Sequence, residues 1–514
     1  MKILFFPLYP KTPYLETDME LISNHLDKND KVFICNCKGN LEKCFMTLEY
    51  NKLRCIDCQI RRQAALKYLN IPEENIIPLK DLEIDYGILP EKFENVRELM
   101  EFKIYGHEFG LATASNLILH FEKNHKFNTI KYKDDVQKHL RAAIYIYHFM
   151  TYLLKKLKPD VLYLFNGRFN VPRCIIFACE DTNTTYYTYE RAGTIKRYAL
   201  RKNTIPHDLK RSKEEMEELW NCADKDKKIK ISEEWFIERR KGIDQGWFSY
   251  TKHQKEALLP KDYNSNKKII TIYNSTMEES YTLNKFINFS LYTDEIHGIE
   301  KLVKNQINNS EIHFYLRIHP NLEGYNNFQI QSYRRMDKKY KNLTVIYPYE
   351  KVNSYTLLDH SDIVITFGST IGVEATFWGK PSILLRDSSY YDKDISYQPK
   401  THQDLIELLL EPNLKPKVKS NALKYGYWQK KRGIKYKKYT PFTITSGVYE
   451  TFHLLKIKLP LIISIKLIII KRTTKLLFEK IFNPFIGYRD SKIKKKMKDI
   501  FVNFLVKLFF IYHQ

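Results

Sequence analysis

Residues 362–386 of the 514-residue chain read DIVITFGSTIGVEATFWGKPSILLR. Two short apolar runs, Ile363–Phe367 and Ser382–Leu385, have the length of buried strands. The segment Thr370–Trp378 between them has the pattern of one short helix, which a Gly-Lys-Pro triplet ends. The stretch therefore predicts a strand–helix–strand unit, and the rest of the chain is interpreted around it.

The joint between the first strand and the helix consists of Gly368, Ser369 and Thr370. Glycine lets a ligand approach the backbone, a hydroxyl caps the helix, and the first N–H groups of the helix are unpaired. These features are typical of a phosphate site, and Glu374, one turn later, is predicted to accept hydrogen bonds from ribose hydroxyls. Such joints also occur in α/β domains that bind no nucleotide, so a purely structural joint remains an alternative.

A second polar strand end lies upstream. The apolar run Ile312–Ile318 is followed by His319-Pro320-Asn321. Arg317 and His319 are predicted to neutralise phosphate charge, and His319 to bind a phosphate oxygen or to protonate a leaving group. A histidine after a strand is also commonly structural.

The first half of the chain contains an analogous edge. The strand Val161–Phe165 is followed by Asn166 and Arg168, and Arg173 opens the next helix. Because open parallel sheets bind ligands at the carboxyl ends of their strands, these three polar residues are predicted to bind an acceptor.

The next predicted strand, Thr184–Thr188, leads to Glu190, the candidate general base. An ion pair with Arg191 is the structural alternative, and it would lower the basicity of the carboxylate. Three other carboxylates remain open as candidates for the base: Glu108, Glu278 and Glu279.

Several of these runs resemble a known protein family. Residues 353–385, NSYTLLDHSDIVITFGSTIGVEATFWGKPSILL, together with RIHPN at 317–321, resemble the donor half of bacterial capsule and surface-polysaccharide glycosyltransferases of the GT-B type. LFNGRFNVPR at 164–173 and YERAG at 189–193 resemble their acceptor half. The resemblance implies two Rossmann-like domains facing across a cleft.

The same resemblance implies a reaction. In several GT-B transferases with cytidine-activated donors, such as bacterial sialyl- and Kdo-transferases, a His-Pro pair and a Ser/Thr pair hold the nucleotide. This carries over to His319, Ser369 and Thr370. It implies transfer of a sugar from a nucleotide-activated donor, CMP-linked by preference, to a growing glycan or lipid-linked glycan, with no cofactor required. The alternatives are a CDP-alcohol (polyol-phosphate) transferase and a non-catalytic scaffold of capsule assembly.

Alternating helical and strand patterns predict an α/β fold with three parts: an acceptor domain over residues 1–260, a donor domain over 261–450, and a basic helical tail over 451–514. The polar segment Arg201–Lys261 is interpreted as an interdomain region with surface helices. No secretory signal follows the first residues, so a cytoplasmic protein is expected.

Charge is concentrated in the tail. The chain carries a formal net charge of +24, and residues 451–514 contain 14 Lys and Arg against 3 Asp and Glu. Basic residues beside bulky apolar runs favour an interfacial helix on the inner membrane surface, and a helical pair packed on the domains is the alternative. No signature of a nucleic-acid-binding domain accompanies the charge.

Cysteine spacing near the N-terminus leaves two interpretations open. Cys37, Cys44, Cys55 and Cys58 offer four thiols, with a two-residue gap between the last pair. They form a candidate structural zinc site, but the other gaps differ from the usual paired spacing. Buried reduced thiols are the alternative.

Overall fold

The computed structural model describes residues 1–7, 9–44, 52–80, 82–87, 89–283 and 291–451. The chain divides into two compact units, Met1–Phe452 and His453–Gln514. The predicted basic tail therefore lies outside the described residues, apart from its first position. Within the described residues, no helix is both long and apolar enough to cross a bilayer.

The described strands alternate with helices over most of the chain. The strands are β1 (Lys2–Phe6), β2 (Lys31–Asn36), β3 (Ile76–Pro78), β4 (Val161–Phe165), β5 (Tyr186–Arg191), β6 (Arg197–Lys202), β7 (Lys268–Tyr273), β8 (Ile312–Arg317), β9 (Leu343–Ile346), β10 (Ile363–Thr366), β11 (Ser382–Leu384), β12 (Ile434–Lys435), β13 (Tyr439–Thr443) and β14 (Ser446–Tyr449).

The helices are α1 (Tyr14–Leu26), α2 (Lys52–Tyr68), α3 (Val96–Glu101), α4 (Phe109–His120), α5 (Lys133–Leu157), α6 (Asn170–Asp181), α7 (Leu209–Asn221), α8 (Lys225–Arg240), α9 (Met277–Ser280), α10 (Glu295–Asn305), α11 (Phe328–Lys339), α12 (Ser354–Asp359), α13 (Ile371–Phe377), α14 (His402–Leu410) and α15 (Lys419–Lys431). Single 3₁₀ turns lie at Glu73–Asn75 and Pro320–Leu322.

The first sheet has the strand order β12-β6-β5-β4-β1-β2-β3. Strands β1 to β5 pair in parallel, while β6 and β12 add antiparallel edges. Pairing with β6 extends β5 as far as Arg191, so Glu190 lies within the strand, opposite Ala199, and not in the loop that the sequence predicts. The central strands are continuous apolar runs because helices cover both faces.

The second sheet is entirely parallel, in the order β11-β10-β7-β8-β9. Its buried core extends into α10, α11 and α14 on one face and α12 and α13 on the other. The strand–helix–strand unit predicted from residues 362–386 is present as β10, α13 and β11. An α/β fold with two Rossmann-like halves, as expected for a GT-B protein, is confirmed. The first half is the first sheet with the helices packed on it, and the second half is the second sheet with its helices.

Two segments depart from the simple order of the chain. Met216 of α7 and Trp235 of α8 share a core with Phe377 and Trp428 of the second half, so each of these predicted surface helices packs one face on the protein while most of its other residues stay partly or fully exposed. Strand β12 returns to the edge of the first sheet, and the hairpin β13–β14 follows it.

The returning chain is held by one carboxylate of α1. Glu20 accepts hydrogen bonds from the backbone N–H groups of Lys437, Lys438 and Tyr439, at 2.7, 3.0 and 3.1 Å. The first half is therefore built from both ends of the described chain. The predicted division at residue 260 stays a prediction.

Candidate active site

Three neighbouring strands of the second sheet end beside one another. Because β10, β7 and β8 are adjacent and parallel, their carboxyl ends share one edge of the sheet. The His319 backbone N–H donates to Asn274 Oδ1 across 2.6 Å, and Ser275 Oγ donates to the Phe367 carbonyl across 3.3 Å. The predicted His319 and the Gly368–Thr370 turn are therefore joined at this edge through two residues that follow β7.

The His319 imidazole is oriented by its own turn. The Asn321 backbone N–H donates to Nδ1 across 3.1 Å, so the neutral ring carries its proton on Nε2. Burial, with help from the nearby cations Lys123, Arg239 and Arg317, lowers the pKa of His319 to about 4. At neutral pH the ring is therefore a hydrogen-bond donor through Nε2–H, which disfavours the predicted role as a proton donor to the leaving group.

The turn after β10 depends on a glycine, and two side chains from the chain after β11 lie against it. Gly368 has φ +93°, and a Cβ at this position would lie 2.9 Å from Nη2 of Arg386. The Tyr390 hydroxyl donates to the Ser369 carbonyl across 2.7 Å. Thr370 precedes α13 but makes no side-chain cap to it. Arg386 therefore lies beside the turn and Tyr390 holds it by a hydrogen bond, and neither residue was assigned this role from the sequence.

Glu374 is buried and is occupied by protein partners. Its Oε1 accepts from Arg239 Nε at 3.0 Å and from Thr370 Oγ1 at 3.2 Å, and its Oε2 accepts from the Tyr355 hydroxyl. The side chain has no exposed surface. The structure thus corrects the prediction that Glu374 contacts ribose, because α8 and α12 supply its partners. Its role is to orient Arg239 and Thr370.

Arg317 is likewise occupied by the protein. Its Nη1 donates to the Tyr347 carbonyl across 2.8 Å and its Nη2 to the Glu350 carbonyl across 3.1 Å. Burial lowers the pKa of the guanidinium to about 10. The prediction that Arg317 contacts phosphate directly is therefore corrected to a structural role. Its two hydrogen bonds fix the turn after β9, and its positive charge contributes to lowering the pKa of His319.

Two cations near His319 were not found from the sequence. Arg239, at the end of α8, donates through Nη2 to Thr370 Oγ1 across 3.3 Å. Lys123, from the first half, donates to the Asn321 carbonyl across 3.2 Å and lies 3.5 Å from Glu278 Oε1. Both contacts join residues far apart in sequence, so no local pattern could have indicated them. Both cations contribute to lowering the pKa of His319, although each is also paired with a carboxylate, Arg239 with Glu374 and Lys123 with Glu278.

A buried carboxylate supports the edge from inside. Glu295, the first residue of α10, accepts from the Tyr333 hydroxyl at 2.7 Å and from the Ser275 backbone N–H at 3.2 Å. Burial raises the pKa of Glu295 to about 7, and the charge of Arg386 opposes that shift. The hydrogen bonds of Glu295 therefore fix the residues that follow β7, and Arg386, whose charge acts on Glu295, also lies beside the glycine turn.

The first sheet presents a second polar edge. Asn166 Nδ2 donates to Glu190 Oε2 across 2.7 Å, and the Arg191 backbone N–H donates to Oε1 across 2.9 Å. The Tyr14 hydroxyl donates a hydrogen bond to the same carboxylate. Burial, and to a smaller extent the negative charge of Glu190, raises the pKa of Tyr9 to about 12. The structure thus brings the predicted Asn166 and Glu190 together. Glu190 remains half-buried.

The two predicted acceptor arginines differ in position. Arg168 belongs to the Asn166 turn, where its backbone N–H donates to Asn166 Oδ1 at 3.0 Å and its guanidinium stacks on Phe169. Arg173 is buried in α6, and the charges of Glu108 and Glu180 partly offset the lowering of its pKa by burial. The prediction that Arg173 binds the acceptor is therefore corrected, because its side chain is buried inside the first half.

The alternative bases are also accounted for. Glu108 faces Arg173, and Glu278 faces Lys123. The side chain of Glu279 is outside the described part of the chain.

The candidate zinc ligands are not assembled into a site. In the described ranges, no group of three or more His, Cys, Asp or Glu side chains is placed to hold a metal ion. The buried Arg62 donates to Cys58 Sγ across 2.8 Å, and Gln59 donates to Cys55 Sγ across 3.5 Å. Burial raises the pKa of the Cys58 thiol, which disfavours the thiolate form that zinc requires. The structure favours reduced thiols over the predicted zinc.

The polar edge of the second sheet lies within the part of the chain that matches a family model. Residues 230–436 match the family model described as "Capsule polysaccharide biosynthesis protein". The match covers about two fifths of the chain and includes Arg239 of α8, His319 and the glycine turn. The resemblance to capsule biosynthesis proteins, expected from RIHPN and the 353–385 run, is confirmed over this segment. No curated protein sequence matches the chain.

Solved structures show more distant likenesses. The Thermosulfurimonas dismutans KpsC beta Kdo 2,4 transferase is 12% identical, with a TM-score of 0.35, covering 52% of this chain and 79% of its own. The beta Kdo 2,7 transferase of the same KpsC is 14% identical, with a TM-score of 0.33, covering 55% and 80%. The UDP-GlcNAc 2-epimerase of Neisseria meningitidis is 14% identical, with a TM-score of 0.29, covering 85% and 96%. Likenesses of this size assign neither a substrate nor a reaction.

Proposed function

We propose that the protein is a glycosyltransferase of capsule or surface-polysaccharide synthesis, which moves a sugar from a nucleotide-activated donor to a growing glycan. The observation that carries the proposal is the polar edge around His319 and the Gly368–Thr370 turn, which lies inside the segment that matches the capsule family model. Its donors are of the types that bind phosphate oxygens: an imidazole N–H, hydroxyls and two cations, Lys123 and Arg239.

The chemistry assigns a task to each edge. As the bond between the sugar carbon and the donor phosphate breaks, negative charge grows on the phosphate, and His319 Nε2–H, Lys123 and Arg239 stabilise it. The acceptor oxygen bonds to the same carbon, and its proton passes to the Glu190 carboxylate. Proton transfer to this carboxylate accompanies bond formation rather than preceding it.

A cytidine nucleotide is the preferred donor in this proposal. The His-Pro pair at 319–320 and the Ser-Thr pair at 369–370 support that choice through their resemblance to cytidine-dependent transferases. The CDP-alcohol alternative uses the same nucleotide and differs in its product, which contains a phosphodiester instead of a glycosidic bond.

Melting temperatures of the full chain with CMP, CDP, UMP, UDP, GDP and ADP test the donor site. A ligand at about 100 times its Kd adds about 2.7 kcal/mol of stability, which is readily measured. We expect a selective shift with CMP or CDP that is lost when Ser369 and Thr370 are both replaced by Ala. The hairpin hydroxyls Thr443 and Ser446, which lie 2.6 Å apart, give the matched control pair. No shift with any nucleotide would contradict the proposal and favour the scaffold alternative.

We also propose that the protein acts at the inner face of the cytoplasmic membrane. The excess of 14 Lys and Arg over 3 Asp and Glu in residues 451–514 supports attraction to anionic lipid. Co-sedimentation with phosphatidylglycerol vesicles should exceed that with phosphatidylcholine vesicles and decrease with salt. Replacing the lysines from Lys492 to Lys498 by Gln should weaken binding to the phosphatidylglycerol vesicles. Equal binding to the two kinds of vesicle would contradict the proposal.

A further inference from the structure

The segment 243–250, between α8 and the second sheet, is held against the turn that follows Glu190 and Arg191. The Gly246 backbone N–H donates to the Gly193 carbonyl across 3.0 Å. A Cβ at Gly246 would lie 2.0 Å from the Ala192 carbonyl oxygen, so only glycine permits this approach. The position of the segment is therefore fixed relative to the carboxyl end of β5.

The same segment also reaches the edge of the second sheet. Trp247 Nε1–H donates to the Tyr250 hydroxyl across 2.9 Å. The Tyr250 ring packs edge-on against His319, with ring centroids 4.9 Å apart and an interplanar angle of 72°. These eight residues thus contact both the turn that follows Glu190 and Arg191 and the ring of His319.

Two large aromatic side chains on this segment remain exposed. Trp247 is 52% exposed and Phe248 is 41% exposed, and their rings pack edge to face with centroids 5.7 Å apart. A hydrogen bond and Arg191 hold Trp247, so its open surface is presented in a fixed orientation. Fixed apolar surface beside a polar site is typical of a ligand contact.

Arg191 adds polar contacts beside this surface. Its guanidinium lies between two rings, 5.0 Å from the Tyr14 centroid and 4.8 Å from the Trp247 centroid. Nη2 donates to the Ile444 carbonyl across 3.2 Å, whereas Nε and Nη1 are buried without a hydrogen-bond partner in the described part of the protein. Unmade hydrogen bonds of a buried cation are costly, so an oxygen-rich ligand would be stabilised here.

We propose that Trp247 and Phe248, with Arg191, form a subsite for a sugar ring of the acceptor glycan. A pyranose ring has an apolar C–H face, which packs on an aromatic ring, and oxygen atoms at its rim, which accept hydrogen bonds from a guanidinium. The location places the acceptor hydroxyl near Glu190 and opposite His319. This inference rests on the proposed function, because it names the acceptor side of the same site.

Oligosaccharides made by partial acid hydrolysis of the capsule of the source cells are the probe. Their binding to the full chain is measured by calorimetry, with Trp247→Ala, Trp247→Phe and the control Tyr349→Ala, which removes a 68% exposed ring of the second half. We expect Trp247→Ala to weaken binding about tenfold, as expected for the loss of one ring contact, and Trp247→Phe to restore most of it. Tyr349→Ala should bind like the wild type.

Nucleotide-induced melting shifts, measured on the same variants, separate this inference from the proposed function. Wild-type oligosaccharide affinity in Trp247→Ala, or no binding to the wild type, overturns the subsite even if nucleotides still bind. An absent nucleotide shift in the wild type overturns the donor proposal, while oligosaccharide binding that depends on Trp247 still supports the subsite. An equal loss in Trp247→Ala and Tyr349→Ala also overturns the subsite.

Discussion

Replacing Gly368 by Ala tests whether the turn after β10 forms the donor site. Gly368 has φ +93°, a left-handed conformation that costs a residue with a Cβ about 1–2 kcal/mol. The new methyl group would also lie 2.9 Å from Nη2 of Arg386, so the guanidinium below the turn has to move. We expect a loss of stability and, in addition, a loss of nucleotide affinity.

Gly379 provides the matched control on the same strand–helix–strand unit. It has φ +79°, and a Cβ there would have no heavy atom within 4 Å. Gly379→Ala therefore carries the same backbone cost without a clash at the turn. Both variants should melt about 2–8 °C lower, as expected for 1–2 kcal/mol in a domain of this size.

Nucleotide affinity distinguishes the two variants. If Arg386 shifts and one hydrogen bond to phosphate is lost, Gly368→Ala should bind the best nucleotide about tenfold more weakly, whereas Gly379→Ala should bind it normally. Calorimetric titration with the nucleotide that gives the largest melting shift measures both. Equal affinities in the two variants would refute the assignment of this turn to phosphate.

Three further predictions concern charge. Glu374→Gln should lower the free energy of unfolding by about 1.5–3 kcal/mol in denaturant titrations, because it breaks the ion pair between Arg239 and a fully buried carboxylate. Asp359→Asn, which breaks the partly exposed pair of the neighbouring Arg240, should cost at most about 1 kcal/mol, and equal losses would contradict the burial argument. His125 lies between Tyr281 and Phe328, and burial lowers its pKa to about 4, so the unfolded state binds the extra proton and stability falls as pH drops from about 6.5 towards 4. His125→Phe should flatten that slope by up to about 1.4 kcal/mol per pH unit, and an unchanged slope would contradict this account. Glu190→Gln should lower sugar transfer about 10²–10⁴-fold with nucleotide binding unchanged, and a fully active variant would exclude Glu190 as the base.

The fold could be predicted where the signal was local. Apolar runs such as VLYLF and IVIT gave their strands because a helix-covered parallel strand is apolar throughout. Asparagine is a preferred residue before the first turn of a helix, and the Asn353 side chain accepts from the backbone N–H groups of Tyr355 and Thr356 at the start of α12. The antiparallel edge strands β6 and β12 were not predicted, because the sequence of neither strand indicates which strand it pairs with.

The candidate site was only partly predictable, for the same reason. Polar residues directly after strands, such as Asn166 and His319, were found because the end of a strand fixes their place. Glu374 was misjudged because its burial depends on α8 and α12, which approach from other parts of the chain. Lys123 was missed because its contact with Asn321 crosses from one half to the other.

The return of the chain to the first sheet bears on how the protein folds during synthesis. Strand β12 and the N–H groups that Glu20 binds are translated only after the whole second sheet. The ribosome therefore releases a first half that lacks one edge strand and leaves the Glu20 carboxylate without these three donors. We expect the second half to fold while the first is still incomplete, and residues 434–449 to close the earlier half last. The first half produced alone would need this late segment fused to it.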